Sequence, residues 1–341
     1  MKNFKLYNNI VGWLAFAIAT ATYLLTIEPT ASFWDCGEFI SSAVKLDVGH
    51  PPGAPFFMLM GHFFSLFASD TEHLAMCVNA LSALASAFTI LFLFWTITAL
   101  AKKLVQPDTM AKGIGLLAAG TVGALAYTFS DTFWFSAVEG EVYASSSLFT
   151  AVVFWLILKW DEHADEEGSD RWLIAIAYLM GLSIGVHLLN LLTIPAIGLV
   201  YYFRRYPFSW WGVIAAFAAS CGVLAVILYG IIPGFPTVAG WFELLFVNGL
   251  GCPFNTGLVV YIIAAILALA WAIYESAVDR SKIRMILSFV LAFVLSGAAF
   301  LFEQWWIGVI LAIVLTAVLL RYREVVLARW LYTLTLRLAS L

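Results

Sequence analysis

Within residues 28–55, five ionisable side chains are crowded into positions 35–50, and their types are those of acid–base chemistry. They are Asp35, Glu38, Lys45, Asp47 and His50. A carboxylate can take a proton from an attacking hydroxyl, and a nearby histidine can assist a leaving group. The whole chain is 63% hydrophobic and 11% charged, whereas soluble domains carry about 25% charged residues. We therefore expect this segment to form the catalytic loop of an integral membrane protein.

Asp35 and Glu38 have two competing interpretations. An Asp at the N-cap with a Glu three residues later forms a capping box, which satisfies two backbone donors at a helix start. Alternatively, Asp35 faces the membrane surface and acts as a general base. Trp34 favours the second interpretation, since tryptophan anchors at membrane interfaces and offers a flat surface for a sugar. Cys36-Gly37 allows close approach of a substrate.

His50-Pro51-Pro52-Gly53 is a stiff, non-helical segment, because proline and glycine both disfavour a helix interior. One interpretation is a rigid link between two interfacial helices. The other makes His50 a hydrogen-bond donor to a phosphate leaving group, or a brace for the catalytic carboxylate.

Two later segments add polar groups at the same predicted level. Glu139 and Glu141 lie among aromatic residues that include Tyr143, and they are either solvated acids in an aromatic belt or part of the site. His187 and Asn190 mark either a turn between two helices or a further part of the site. On ligand type, Asp35 with Glu139 or Glu141 could bind a divalent metal.

Ten apolar stretches approach the length of about 20 residues that a membrane-spanning helix needs. They lie at residues 9–27, 74–101, 113–130, 142–160, 172–187, 188–203, 209–232, 258–275, 285–302 and 304–320. Residues 172–203 are too many for one span, and we divide them at His187–Asn190 because polar groups favour a turn near the interface. The sequence therefore predicts an all-α polytopic protein with about ten transmembrane helices.

The basic residues indicate an orientation. With the N-terminus inside and alternating spans, all but Lys45 of the 17 lysines and arginines fall on the inner side, as the positive-inside rule requires. Residues 55–68 are apolar but too short to span, and a span there would reverse the side of Lys102 and Lys103. We therefore predict a first outer loop at 28–73 containing two interfacial helices, one near Gly37–Leu46 and one at 55–68.

Other functional classes lack support in the sequence. There is no P-loop, no dinucleotide-binding glycine motif, no zinc-protease motif and no serine-hydrolase elbow. Basic residues are too few and on the wrong side for nucleic acid. No ionisable residue falls near the middle of a predicted span, whereas ion-coupled transporters usually place such groups there. The distribution favours surface chemistry.

Three motifs carry a family resemblance. They are Trp34-Asp35-Cys36-Gly37-Glu38-Phe39, Leu46-Asp47-Val48-Gly49-His50-Pro51-Pro52-Gly53 and Ala137-Val138-Glu139-Gly140-Glu141-Val142-Tyr143. With a long first outer loop, the sequence resembles the GT-C glycosyltransferases. It most resembles the family known as domain of unknown function 2723, or glycosyltransferase family 117, which is similar to the protein O-mannosyltransferases.

The resemblance implies a GT-C-like transmembrane domain over residues 1–320. It also implies inverting transfer of a sugar such as mannose from a polyprenyl phosphate to Ser or Thr of an exported protein. Asp35 takes the place of the catalytic carboxylate, with Glu38 as a second catalytic candidate. The candidates for binding the phosphate or sugar of the donor are Trp34, Lys45, His50, Glu139, Glu141, Tyr143, His187 and Asn190.

The resemblance further implies the inner membrane of a bacterium, with the N-terminus in the cytoplasm and the site on the periplasmic side. No cofactor is certain, although a divalent metal would help to balance the donor phosphate, because Lys45 is the only outer basic residue. A lipid or glycan acceptor, a transporter or flippase of lipid-linked sugars, and a non-catalytic membrane subunit are the alternatives.

The segment 321–341 alternates arginine with apolar residues at helical spacing. This pattern predicts an amphipathic helix on the inner membrane surface, or the start of a missing C-terminal region. Members of the family that this sequence resembles are often longer and carry a soluble region after the membrane part.

Overall fold

The computed structural model describes residues 1, 3–50, 53–278, 282–301, 306–310 and 312–314, and these are helices and loops with no strand among them. The chain divides into two compact units, Met1–Arg204 and Arg205–Leu341. The predicted all-α membrane class is confirmed. The predicted amphipathic helix at 321–341, and Pro51 and Pro52 of the histidine motif, lie outside the described residues.

The first unit is built around one long helix, α4. Its helices in chain order are α1 (Phe4–Leu25), α2 (Cys36–Lys45), α3 (Pro55–Ser65), α4 (Leu74–Leu104), α5 (Met110–Thr128), α6 (Asp131–Val138), α7 (Val142–His163), α8 (Asp170–Ile184) and α9 (Ile194–Arg205). Helix α4 packs against α1, α5 and α7. Small residues such as Ala83 and Ala87 are fully buried there against Ala19 of α1, which lets the helix backbones approach closely in an apolar environment.

Helix α4 begins where a polar cap ends the first loop. The Asp70 side chain accepts hydrogen bonds from the backbone N–H groups of Glu72 and His73, at the start of the 3-10 turn Thr71–His73. Such a cap satisfies donors that a helix start leaves unpaired. The cap therefore fixes the point at which the loop gives way to the apolar helix.

Two short helices lie in the first loop, as predicted. Helix α2 corresponds to the helix predicted near Gly37–Leu46, and α3 corresponds to the helix predicted at 55–68. Helix α2 ends because Leu46 adopts a left-handed backbone, with φ of 54°, and its N–H bonds to the Ala43 carbonyl. Phe39 and Ala43 of α2 are buried in one cluster with Phe57 of α3, so the two helices share a small core.

Among the residues that the structure describes, six helical segments are long and apolar enough to cross a membrane. They are Phe4–Leu25, Thr71–Leu104, Met110–Thr128, Val142–His163, Trp210–Gly249 and Thr256–Glu275. The break expected at His187–Asn190 is present, because α8 ends at Ile184 and a 3-10 helix, Leu188–Thr193, precedes α9. The total of ten spans stays a prediction.

The second unit contains α10 (Trp210–Ala225), α11 (Ile232–Leu244), α12 (Thr256–Val278) and α13 (Lys282–Leu295). The predicted span 209–232 is wrong at its end, since the helical segment continues to Gly249. A π-helical stretch, Val226–Ile231, precedes α11, and Pro233 lies in the first turn of that helix. Pro233 has no N–H to donate, and it follows directly on the π-helical stretch, where the regular α-helical hydrogen-bond pattern is already changed.

The predicted span 285–302 also needs correction. Helix α13 ends at Leu295, and a 3-10 helix, Ala298–Leu301, follows Gly297. The backbone of Gly297 has φ of 82°, a left-handed conformation that glycine adopts without strain. The hydroxyl of Tyr261 in α12 donates to the Leu295 carbonyl at 2.7 Å, which satisfies the helix end.

Candidate active site

Three separate segments of the first unit meet at the N-terminal end of α4. The Glu28 backbone N–H donates to the Val138 carbonyl at 3.1 Å, and the Phe56 N–H donates to the Gly185 carbonyl at 2.7 Å. These bonds join the first loop to the α6–α7 connection and to the α8 end. The structure thus brings these polar segments together at one end of the unit, and the side of the membrane on which they lie stays a prediction.

Asp35 stands at the start of α2 without capping it. Its backbone is helical, with φ of −85° and ψ of −1°, and its side chain makes no cap hydrogen bond. A capping aspartate normally has an extended backbone and accepts from the N–H two or three residues later. The capping-box interpretation is therefore wrong, and 59% of the Asp35 side chain is exposed. Its carboxylate is available for chemistry.

Glu38 holds His50 at two points. Its Oε1 accepts from the His50 backbone N–H at 2.6 Å, and its Oε2 lies 3.1 Å from Nδ1 of the ring. The backbone hydrogen bond from His50, and then the ring contact, lower the pKa of Glu38 below its ordinary value. Since an ionised carboxylate only accepts, Nδ1 carries a proton in this contact. Glu38 therefore fixes both the position and the tautomer of the imidazole.

The other ring nitrogen of His50 faces Asp35. Its Nε2 lies 4.0 Å from Oδ2 of Asp35, and the ring centroid lies 5.7 Å from that of buried Phe39. Thus Phe39 supports one face of the ring while Glu38 holds its edge. The arrangement places an imidazole between two carboxylates, with Asp35 the less constrained of the two.

Asp35, Glu38 and His50 also form a group that could hold a metal ion. One ligand atom from each lies within 4.8 Å of the others, and carboxylate oxygens and imidazole nitrogen suit several divalent cations. The predicted pairing of Asp35 with Glu139 or Glu141 is not the grouping found. Glu141 instead bonds to Cys36.

Glu139 and Glu141 are buried, each with 5% of its surface exposed, so the interpretation as solvated acids is wrong. The Cys36 thiol donates to Oε1 of Glu141 at 3.6 Å. Burial is the main cause that raises the pKa of both carboxyls. Burial is also the largest cause of the raised pKa of the Cys36 thiol, and the neighbouring glutamates raise that pKa further. The thiol therefore stays protonated and ties the start of α2 to the segment before α7.

Two residues that the sequence analysis did not single out shape this junction. Buried Asn79 of α4 donates through Nδ2 to the carbonyls of Glu28 at 2.6 Å and Thr30 at 3.0 Å. A Cβ on Gly140 would lie 2.8 Å from Oδ1 of Asn79 and 3.0 Å from Cγ1 of Ile40. Asn79 could have been found from the sequence, because it is an asparagine within an apolar span and such polar groups need partners in a membrane. The need for glycine at 140 appears only in three dimensions.

Trp34 and Lys45 lie on either side of this cluster. Trp34 is 89% exposed and has φ of 61°, a strained conformation for a bulky residue. This conformation displays the indole next to Asp35. Lys45 is in the last turn of α2, about 15 Å along the helix from Asp35 at 1.5 Å per residue.

His187 and Asn190 have different surroundings. The His187 ring lies 5.3 Å from that of Tyr143, and its Nδ1 accepts from the Leu189 N–H at 3.2 Å. Asn190 is fully buried and bonds to Ser183 at 3.0 Å and Thr150 at 3.3 Å. The turn interpretation is confirmed for both. Asn190 ties three helical segments together, and no contact of His187 with Asp35 is found among the described residues.

A crevice of about 510 Å³ runs between α4, α5 and α7. Tyr143 and Leu189 line one end beside His187, and Phe154 lies deeper along α7. The residues from 143 to 154 span about 16 Å of helix. Hydroxyl groups and apolar side chains alternate along its walls, including Thr89, Leu93, Thr96, Ser147, Thr150 and Ala151. The crevice therefore extends from the acidic end of the bundle into its apolar middle.

The long apolar helices define a multi-pass membrane protein, and a carboxylate–imidazole cluster lies at one end of its first unit. Comparison of the chain with known protein families identifies the family to which it belongs. Residues 35–210 match the family described as the Protein O-mannosyl-transferase TMEM260 N-terminal domain, and the match spans more than half of the 341 residues. The chain belongs to this family, and the resemblance drawn from the motifs is confirmed.

Two relatives show the same similarity. The chain is 28% identical over 205 residues to the Protein O-mannosyl-transferase tmem260 of Dictyostelium discoideum, covering 58% of this chain and 22% of the relative. It is 29% identical over 170 residues to the Protein O-mannosyl-transferase TMEM260 of Mus musculus, covering 50% and 22%. The chain thus spans 22% of the length of these relatives. No solved structure matches the chain significantly.

Proposed function

We propose that this chain is a membrane glycosyltransferase that moves mannose from a polyprenyl phosphate to Ser or Thr hydroxyls of exported proteins. The observation that carries the proposal is the exposed, uncapped Asp35 carboxylate beside an imidazole that Glu38 holds. The names of the two relatives, both protein O-mannosyl-transferases, support the reaction and the protein acceptor.

The reaction needs a base at the acceptor. Asp35 takes the proton as the acceptor oxygen attacks the anomeric carbon. The new carbon–oxygen bond forms as the bond from that carbon to the phosphate oxygen breaks, and the bonding pair leaves with the polyprenyl phosphate. Attack opposite the leaving group inverts the anomeric centre. Because Asp35 is largely exposed, a hydroxyl on a peptide can reach it.

The leaving phosphate needs a hydrogen-bond donor. Nε2 of His50, when protonated, is such a donor, and the Glu38 carboxylate stabilises the positive ring from the other side. Lys45 is a poorer candidate because it lies at the far end of α2. The same three side chains could instead hold a divalent cation, which would supply positive charge to the phosphate in place of the His50 proton.

The crevice between α4, α5 and α7 suits the lipid tail of the donor. Its deep part is mostly apolar, with the Thr96 hydroxyl among side chains such as Ile97 and Phe154, and it lies among helices of membrane-spanning length. Its outer end is lined by Tyr143, two residues after the Glu141 carboxyl that bonds to Cys36. A tail in this crevice would place the phosphate near the acidic end of the bundle, where Asp35 lies.

The proposal includes a location. We place the site on the periplasmic side of a bacterial inner membrane, with the N-terminus in the cytoplasm. The positive-inside distribution supports the orientation, and the bacterial context rests on the motif resemblance. The two relatives named above come from eukaryotes. A lipid or glycan acceptor remains the alternative to a protein.

A reconstituted assay tests the activity. The purified full chain in lipid nanodiscs is incubated with polyprenyl-phosphate mannose and a Ser/Thr-containing peptide, and mannosyl-peptide is measured by mass spectrometry. We expect product with this peptide and none with the peptide whose Ser and Thr are replaced by Ala. Product on an added lipid or glycan alone would contradict the protein acceptor, and no sugar transfer to any acceptor would contradict the enzyme.

A further inference from the structure

A second large cavity lies at the end of the first unit that is opposite the acidic site. Its volume is about 640 Å³, and residues of α1, α4, α7 and α8 line it. On α4, Asn79 belongs to the acidic end and Lys102 lines this cavity. The 23 intervening steps correspond to about 35 Å of helix, close to the thickness of a bilayer core with part of its interface. The cavity therefore lies at the other membrane interface.

The cavity carries a positive charge. Lys5, Lys102 and Lys159 line it, with Glu162 as the one lining acid. Lys159 bonds to Glu162 at 2.7 Å, and Lys102 is a more distant electrostatic neighbour of the same carboxylate. Within the part of the chain that the structure describes, Lys5 and Lys102 make no ion-pair contact. Two unpaired lysines beside one cavity attract an anion.

Three residues that line the cavity carry a buried polar atom without a partner. Nε1 of Trp95, Nε1 of Trp172 and Oδ1 of Asn8 are buried and have no hydrogen-bond partner among the described residues. An unpaired polar group away from water costs free energy, and more so in a membrane protein. Two donors and one acceptor thus remain for a ligand to satisfy.

The walls of the cavity are aromatic. The Trp95 and Trp155 ring centroids lie 6.0 Å apart, and those of Trp155 and Trp172 lie 6.3 Å apart. Tryptophan is enriched at membrane interfaces because its ring is apolar and its N–H is polar. Such walls suit a molecule that is polar at one end and apolar at the other.

We propose that this cavity binds the phosphate-bearing headgroup of an anionic membrane lipid. Lys5 and Lys102 pair with the phosphate, and the indole N–H groups of Trp95 and Trp172 donate to its oxygens. Oδ1 of Asn8 accepts from a headgroup hydroxyl, which favours a polyol headgroup such as phosphoglycerol. The acyl chains lie along the apolar helix surfaces outside. This site is separate from the proposed transferase site and does not depend on that activity.

Native mass spectrometry of the purified full chain, titrated with phosphatidylglycerol, tests the proposal. Phosphatidylcholine and soluble glycerol 3-phosphate are the comparison ligands. We expect one phosphatidylglycerol molecule to bind more tightly than either. In Lys5→Gln/Lys102→Gln the affinity should fall by about fivefold for each lysine removed, and Trp172→Phe should also weaken binding because only the N–H is lost.

Lys112→Gln is the matched control, since Lys112 pairs with Asp108 at 3.0 Å and does not line the cavity. It should bind like the wild type. Thermal unfolding in phosphatidylcholine nanodiscs checks that all variants fold. Unchanged phosphatidylglycerol affinity in the folded double-lysine variant would overturn the proposal, as would equal affinity for phosphatidylcholine. Binding of glycerol 3-phosphate as tight as that of the lipid would overturn the lipid as the source of the phosphate.

Discussion

The carboxyl groups near the end of α4 occupy three different environments, and these environments separate their roles. Asp35 is exposed and uncapped. Glu38 is hydrogen-bonded by His50, which lowers the pKa of its carboxyl. Glu139 and Glu141 are buried, which raises their pKa. Acids with pKa values pushed apart by their surroundings commonly divide the work of a site, and here the exposed one can reach a substrate.

Replacing Glu38 with Gln should reduce turnover. The amide keeps an acceptor for the His50 backbone N–H but turns an N–H₂ toward Nδ1, so the ring loses its charged brace. We expect kcat for mannosyl transfer to fall about 10- to 100-fold, with a smaller change in KM for the peptide. Steady-state kinetics measure both. Glu72→Gln, at an exposed acid of the same loop, should leave both constants unchanged, and an unchanged kcat in Glu38→Gln would contradict the bracing role.

Glu139→Gln should make stability less dependent on pH. The buried carboxyl has a raised pKa, so above its ordinary value near 4.5 the folded state binds more protons than the unfolded state. Stability must then fall as pH rises from that value through the raised pKa. Gln resembles the protonated acid and removes this loss. Melting temperatures measured between pH 5 and 8, in steps of about one unit, should depend less on pH for the variant than for the unchanged protein. A curve of equal slope would show that Glu139 does not titrate in this way.

The sequence predicted much of this site because residue types and local spacing carry it. The composition predicted the apolar helices, and the proline and glycine after His50 predicted the break between α2 and α3. The role of Glu38 could not be predicted, because an Asp and a Glu three residues apart are equally compatible with a capping box. The pairing with His50 depends on how the loop after α2 folds back, which spacing alone does not determine.

The segments that carry the site are held by close packing between elements. Gly140 lies where the α6–α7 connection touches both α2 and α4, through Ile40 and Asn79. Asn79 in turn holds the start of the first loop. Helix α6 was not predicted, because residues 131–141 fall between the predicted spans 113–130 and 142–160. Its burial of Phe133 and Ala137 against Tyr23 and Ala87 explains the helix, and that contact is not visible in one sequence.

Gly140→Ala should destabilise the first unit and reduce transfer. The new methyl group would lie 2.8 Å from Oδ1 of Asn79, so the connection or α4 must shift at a cost of about 1–3 kcal/mol. Gly181→Ala is the matched control, because a Cβ there meets nothing within 4 Å. Thermal unfolding should separate the two variants clearly. Equal melting temperatures would contradict the close packing at Gly140.

The first unit has two chemically different ends, which the helices α1, α4 and α7 join. One end collects acids and histidines, and the other collects lysines and tryptophans. The positive-inside pattern predicted this division, because it depends on residue counts in loops. The continuous helix from Trp210 to Gly249 was not predicted. The predicted span ends at 232, whereas the helix continues through the π-helical stretch Val226–Ile231 and past Pro233.

The crevice between α4, α5 and α7 predicts how the donor tail affects activity. Ala151→Phe should fill part of the crevice and raise KM for a long-chain polyprenyl donor about tenfold, through steric exclusion of the tail. A donor with a tail too short to reach Ala151 should be used normally. Ala119→Phe, on an exposed position of α5, is the control and should not change either constant. A similar loss with both donors would contradict the assignment of the crevice to the tail.

The Asp35→Asn variant provides the sharpest comparison. Asparagine keeps the shape and exposure of the side chain but does not accept a proton at neutral pH, so mannosyl transfer should fall by about 10²- to 10⁴-fold. Thermal unfolding should be unchanged, because the Asp35 side chain makes no cap hydrogen bond. Asp47→Asn, at an exposed acid of the same loop whose Oδ1 accepts from the Val48 N–H at 2.8 Å, should retain wild-type activity. Transfer by Asp35→Asn at the rate of Asp47→Asn would contradict Asp35 as the base.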